Sequence, residues 1–213
     1  SPRAASLCGD FGLRVFGLIS ELFKVWLLFL KMDDLYFITG NEGKFLEARL
    51  ALPDVKQIDI DLPEIQEIDA RKIIEEKLQE AIKKMPGKRF FCEDTSLYIE
   101  GLNGLPGPLF KWFYKTIGVQ GVYDMVKDNE NKNAKVETIV GYSDGDKILF
   151  FEGSTEGVIV SPKGGKGMGW APIVKPNGSD KTFGEMELEE KKDYSMRRKA
   201  LAKLKDYLDG END

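Results

Sequence analysis

Three segments hold the residues whose types and spacing could do chemistry. Gly164-Gly165-Lys166-Gly167-Met168-Gly169-Trp170-Ala171-Pro172 has four glycines, one lysine and one indole within nine residues. A chain gives up side chains like this where backbone approaches a ligand closely or takes positive φ. The bare amides can meet phosphate and the indole can meet a flat base. On its own the segment reads as a glycine-rich turn with one packing tryptophan. Phe37-Ile38-Thr39-Gly40-Asn41-Glu42-Gly43-Lys44 and Lys191-Lys192-Asp193-Tyr194-Ser195-Met196-Arg197-Arg198 change that reading. Together the three look like a nucleotide site assembled from distant parts of one chain.

The chemistry available at each is specific. Thr39–Lys44 follows a strand and opens a helix, so its turn aims amides and a helix dipole at an anion. Lys44 adds a mobile positive charge. The spacing is not that of a Walker A loop. Asp59, Asp61, Glu64 and Glu67 surround Leu62-Pro63, and Glu93-Asp94 follows the apolar run Phe90-Phe91-Cys92. Read as the end of a short strand, Glu93 and Asp94 can both turn into one cleft. Carboxylates from separate segments suit a hard, oxygen-seeking Mg²⁺, and can leave one group free to position water. Lys111 follows the shaped loop Gly101–Pro108 and can reach a phosphate. Arg197 sits at a helix N-terminus and can donate paired N–H groups to a purine edge.

Alternating strand and helix signals must position these groups. Leu35–Thr39 reads as a buried strand, Lys44–Leu52 as a helix and Val55–Ile60 as a second strand. Ala70–Lys84 carries Ile73, Ile74, Leu78, Ala81 and Ile82 at helical spacing. Arg89–Cys92 reads as a short strand. Lys111–Ile117 and Val119–Val126 read as helical. Ala134–Tyr142, Lys147–Glu152 and Thr155–Val160 read as neighbouring antiparallel strands, the first turn being Ser143–Asp146. Ser195–Leu208 reads as an amphipathic helix with Ser195 as N-cap. The pattern predicts an α/β fold of two lobes around a cleft.

Composition sets the outer bounds. The chain has 213 residues, 42% hydrophobic and 31% charged, the balance of a soluble globular protein. Its net charge of −5 argues against binding a nucleic-acid polymer, while a local lysine cluster still admits a small anion. Only Cys8 and Cys92 are present, far apart, so no disulfide framework or CxxC zinc pattern exists. Histidine is absent. That removes Ser-His-Asp and Cys-His catalysis and leaves acid–base work to carboxylates, lysines, tyrosines or metal-bound water.

Residues 1–31 are set apart. Val25–Leu30 is an unbroken apolar run of only six residues, too short for a standard membrane span. A targeting segment, an interfacial anchor and non-native sequence upstream of Met32 compete, and the last is the expectation. The chain is thus expected to comprise an extension at 1–31 outside the fold and a two-lobed domain at 32–213, in the cytoplasm. Membrane contact through residues 1–31 stays open as an alternative.

Taken in order, the motifs resemble the inosine triphosphate pyrophosphatase, or Ham1, family of non-standard purine nucleoside triphosphatases. The resemblance rests on Phe37–Asn41, Asp61–Gln66, Glu93–Leu97, Gly104–Pro108 with Lys111–Phe113, Gly167–Trp170, Thr182–Met186, and Glu190-Lys191 through Ser195–Arg197. It runs in register from about Asp33 to Leu208. It implies hydrolysis between the α and β phosphates of ITP, dITP or XTP, releasing pyrophosphate. It also implies dependence on Mg²⁺, with Mn²⁺ able to substitute, a two-lobed fold with an elongated mixed sheet flanked by helices, and a homodimer. By position, Asp94 is the candidate general base, with Lys44 beside it in catalysis. Glu64, Glu93 and Asp94 lie at the metal. Thr39, Gly40, Asn41, Lys44, Thr95, Lys111 and Lys191 meet the triphosphate. Met168, Gly169, Trp170, Ser195, Met196 and Arg197 shape the base pocket, Arg197 donating to the purine C6 oxygen.

Three positions depart from the family pattern. Met168 stands where phenylalanine is usual, Ala171 where aspartate is, and Met196 where histidine is. All three fall around the expected base pocket, so hydrolysis is expected to persist with base selectivity relaxed or altered. The alternatives are a house-cleaning pyrophosphatase for another modified nucleotide and a non-catalytic nucleotide-binding protein.

Overall fold

A computed structural model describes residues 34–165 and 169–210. In chain order the elements are β1 (Leu35–Ile38), α1 (Glu42–Ala51), β2 (Lys56–Ile58), α2 (Ala70–Lys84), β3 (Arg89–Ile99), a 3₁₀ turn (Glu100–Leu102) and β4 (Pro106–Gly107). Then come α3 (Phe110–Asp124), β5 (Asn133–Ser143), β6 (Ile148–Ile159), β7 (Val174–Pro176), α4 (Leu188–Lys191) and α5 (Met196–Gly210). The seven strands form one mixed sheet in the order β2-β1-β3-β5-β6-β7, with β4 on β3. β1 lies parallel to β2 and β3. β5, β6 and β7 continue antiparallel. The expected α/β architecture with a mixed sheet and flanking helices is what forms. Among the described residues, no helix is long and apolar enough to cross a membrane. The expectations for residues 1–31 and for Met168 lie outside the described residues.

The alternation of the central strands decides which helix goes where. Phe37, Phe91, Val140 and Tyr142 point to one face and bury against α1 and α5 through Ala48, Leu52, Ala200, Leu201 and Leu204. Phe37 and Phe91 stack there with ring centroids 4.5 Å apart. Ile38, Phe90, Cys92 and Ile139 point the other way, onto Ala70, Ile74, Leu78 and Ala81 of α2. At Gly141 an added Cβ would stand 2.3 Å from Ile74 Cγ2, so the bare backbone lets α2 lie directly on the sheet. A third core gathers Leu97, Ile99, Phe110, Val136, Ile173 and Phe183 toward the far ends of β3 and β5.

Three strand expectations need correction. β3 does not end at Glu93-Asp94. It pairs with β5 from Phe90↔Ser143 to Ile99↔Ala134, so the two acids sit in mid-strand. Val55–Ile60 shortens to the three residues of β2. Lys147–Glu152 and Thr155–Val160 are one strand of twelve residues, β6, paired along its length with β5. Gly153-Ser154 lies in the middle of it. That glycine serves close approach: a Cβ there would stand 2.1 Å from the Met196 carbonyl oxygen, where α5 starts. The break expected within the aromatic helix is present, Gly118 adopting φ 68° and ψ 178° inside α3.

Candidate active site

The helix starts build the site. The Thr39 hydroxyl accepts from the Asn41 amide at 3.1 Å, and the Asn41 side-chain oxygen accepts from the Lys44 amide at 3.0 Å. This cap fixes the turn Thr39-Gly40-Asn41 and points the start of α1 into a cleft of about 920 Å³. α5 starts on the same cleft. Its cap is Ser195, whose Oγ accepts from the Arg198 amide at 3.2 Å. The same hydroxyl donates to Glu47 Oε1 at 2.6 Å, so the start of α5 is tied to the middle of α1. Two N-termini facing one space favour an anion there.

The cleft brings together Thr39, Gly40, Asn41, Lys44, Glu64, Asp94, Thr95, Lys111, Gly169, Trp170, Lys191, Ser195, Met196 and Arg197. Among the described site residues named from the sequence, one does not line it: Glu93. Successive residues of a strand point to opposite faces. Asp94 therefore reaches the cleft while Glu93 turns under α1 and α5, its side chain 1% exposed. Glu93 Oε1 lies 2.8 Å from Lys44 Nζ, and Glu93 Oε2 accepts from Arg197 Nε at 2.7 Å. The expectation that Glu93 and Asp94 enter one cleft from a strand end is thus corrected.

Charge is distributed unevenly among the carboxylates. Burial raises the Asp94 carboxyl above its ordinary value, against the pull of Lys44 and Lys77. Burial acts on Glu93 too, but Lys44 and Arg197 outweigh it and hold that group at about 2. Glu64 is held at about 2 chiefly by its hydrogen bond from Lys77, and further by Lys111. Its two oxygens lie 2.7 Å from Lys77 Nζ and 2.9 Å from Lys111 Nζ. Burial of Arg197 is outweighed by Glu93 and Glu47, which keep the guanidinium firmly protonated.

Sequence reasoning passed over Lys77, Glu47 and Phe110, which also line the cleft. A signal for Lys77 was present. It interrupts the buried stripe Ile73, Ile74, Leu78, Ala81 of α2, where a lysine needs a reason. Glu47 stands three positions after Lys44, on the same helix face. Phe110 stacks on Tyr114 with centroids 6.0 Å apart, and Trp170 meets Phe183 edge-on at 5.3 Å. These four rings line the same cleft as Ala171 and Met196. Ala171 is 3% exposed and Met196 5%, so both present apolar walls.

Among the described residues no group of three or more acidic or sulfur ligands is preassembled for a metal. Glu64 and Asp94 remain as two carboxylates on one cleft. That donor set fits Mg²⁺, which is typically held by one or two carboxylates together with substrate phosphates.

A mixed α/β sheet with two helix N-termini and a ring of lysines on one cleft defines a binder of small polyanions. The model of the Ham1 family matches residues 35–207, and the chain belongs to that family. It is 38% identical over 185 residues to the inosine triphosphate pyrophosphatase of Schizosaccharomyces pombe, covering 84% of this chain and 97% of the relative. The enzyme of the same name from Kluyveromyces lactis is 37% identical over 185 residues, covering 82% and 95%. Among solved structures, a Ham1 protein from Coxiella burnetii superposes with a TM-score of 0.71 at 25% identity, covering 84% of this chain and 100% of that one. The Staphylococcus aureus Ham1 protein shares the fold, with a TM-score of 0.73 at 23% identity over 84% of this chain and 99% of its own.

Proposed function

We propose that this chain is a nucleoside triphosphate pyrophosphohydrolase acting on non-standard purine nucleotides, ITP, dITP and XTP. Water attacks the α phosphorus, the bond from that phosphorus to the bridging oxygen breaks, and monophosphate and pyrophosphate leave. The reading is carried by the convergence of Lys44, Lys77, Lys111 and Lys191 with Asp94 on one cleft. Relatives named inosine triphosphate pyrophosphatase match over nearly their whole length.

Asp94 orients the water and takes its proton. Burial raises the proton affinity of its carboxylate, and a base of higher pKa pulls harder on water. The turn Thr39-Gly40-Asn41 and Lys44 hold one end of the triphosphate, with Lys77, Lys111 and Lys191 around it. Glu64 and Asp94 would hold Mg²⁺, which when bound neutralises phosphate charge. A homodimer and a domain of two lobes belong to the same reading and rest on the family resemblance; an extension at 1–31 and cytoplasmic residence rest on the composition of the chain.

Base selectivity is relaxed or altered in this chain. The walls at Ala171 and Met196 offer a purine edge no hydrogen bond from their side chains. Three of the five N–H groups of Arg197 are committed to Glu93 and Glu47. Pyrophosphate release from ITP, XTP, GTP and ATP, with and without Mg²⁺, tests both parts. Orthophosphate alone, or no product, removes the hydrolase reading. A strict preference for ITP and XTP removes the altered selectivity.

A further inference from the structure

The acid that sequence order places beside Asp94 at the metal is built for another task. Glu93 is sealed beneath α1 and α5, and its two oxygens take three charged contacts. Oε1 faces Lys44 Nζ at 2.8 Å and Arg197 Nη2 at 3.3 Å, while Oε2 faces Arg197 Nε at 2.7 Å. A cation reaching Glu93 would have to displace both partners and open a side chain that is 1% exposed. Arg197 is held from its other side by Glu47, which Ser195 holds in turn. Lys44 opens α1 after the Thr39–Asn41 turn, and Arg197 follows Met196 at the start of α5, both lining the cleft.

We infer that Glu93 is a positioning residue that holds Lys44 and Arg197 through one buried carboxylate, and so couples the two ends of the nucleotide site. The inference rests on the cleft being a triphosphate site. A polyphosphate that draws Lys44 toward itself leaves Glu93 to Arg197 alone. Conversely, loss of Arg197 leaves Glu93 to hold Lys44 more firmly. The coupling has a direction: removing Arg197 weakens the grip of Lys44 on a phosphate chain.

The test uses the full chain and probes that need no turnover. Mn²⁺ binding is read by electron paramagnetic resonance, and inorganic tripolyphosphate binding by calorimetry. Glu93→Gln is expected to keep Mn²⁺ affinity within about threefold, while Asp94→Asn and Glu64→Gln lose about tenfold or more. Arg197→Ala is expected to weaken tripolyphosphate binding about fivefold in the wild-type background and to have no effect in the Glu93→Gln background. Where Glu93→Gln does not fold by circular dichroism, Glu93→Asp replaces it. That variant keeps the charge, shortens the reach and is expected to shrink the Arg197 effect without moving Mn²⁺ affinity. Loss of Mn²⁺ affinity at Glu93 equal to that at Asp94 overturns the inference. So does an Arg197 effect that survives Glu93 substitution, or a wild-type chain that takes no tripolyphosphate. Failure of the hydrolase reading appears separately, as wild-type protein that binds tripolyphosphate yet releases no pyrophosphate from ITP.

Discussion

Lys111 Nζ stands 2.9 Å from Glu64 Oε2, which joins the start of α3 to the loop after β2 across the cleft. Lys77 approaches the other oxygen of the same carboxylate at 2.7 Å. Glu64 is therefore ionised and already neutralised by two lysines that a triphosphate would compete for.

The two lysines differ in burial, and their variants should differ accordingly. The Lys77 side chain is 12% exposed and that of Lys111 is 53% exposed. A charge-assisted contact shielded from water is worth more than an exposed one. Lys77→Ala should raise KM for ITP by about 10- to 100-fold, and Lys111→Ala by less. Steady-state kinetics at two salt concentrations would check this, and equal effects would count against it.

Asp94→Asn should lower kcat by about 10²- to 10⁴-fold, the usual weight of a general base, while nucleotide binding measured by calorimetry persists. The same variant should unfold at a higher temperature than the wild type near neutral pH. The Asp94 carboxyl is raised by burial, so its charged form opposes folding once the pH exceeds its folded value. Asparagine removes that cost. Undiminished turnover would take Asp94 out of the mechanism.

Glu93 acts on stability with the opposite sign. Its folded value of about 2 lies below its ordinary 4.5. The stability it contributes is complete above about pH 4.5 and is lost as the pH falls toward 2. Glu93→Gln should cost roughly 3–5 kcal/mol at neutral pH, the typical cost of breaking a buried pair. It should also flatten the acid limb of the stability profile. Urea unfolding between pH 3 and 7 would show both.

Gly153→Ala should destabilise the fold and loosen the start of α5, because the new methyl would stand 2.1 Å from the Met196 carbonyl oxygen. Overpacking of this kind costs typically 1–3 kcal/mol. Thermal unfolding with and without tripolyphosphate would report it. An unchanged midpoint would mean that α5 does not depend on that close approach.

Ala171→Asp with Met196→His should restore polar groups to the walls of the base pocket. Discrimination by a buried unmatched polar group can reach about 10⁴-fold, whereas shape alone yields about 10- to 200-fold. The ratio of kcat/KM for ITP over ATP should therefore rise by at least about tenfold in the double variant. An unchanged ratio would mean that selectivity resides elsewhere in the cleft.

Local sequence determined much of this protein. The apolar spacing of Ala70–Lys84 set α2 residue for residue, because a helix with one buried stripe carries its period in the sequence. The cap Ser195 was readable from residue type and place. The break at Gly118 fell between two apolar runs. Residue type and motif order point to Thr39, Asn41, Lys44, Asp94, Lys111 and Lys191, and all six line the cleft. Only the tertiary structure separated Glu93 from Asp94. That choice depended on β3 continuing past them to pair with β5, a contact between strands that neither local run encodes. The same holds for Lys77 and Glu47, whose roles arise from α1, α2 and α5 meeting over one cleft. Side-chain direction along a strand follows from its partners, and partners are a property of the folded chain.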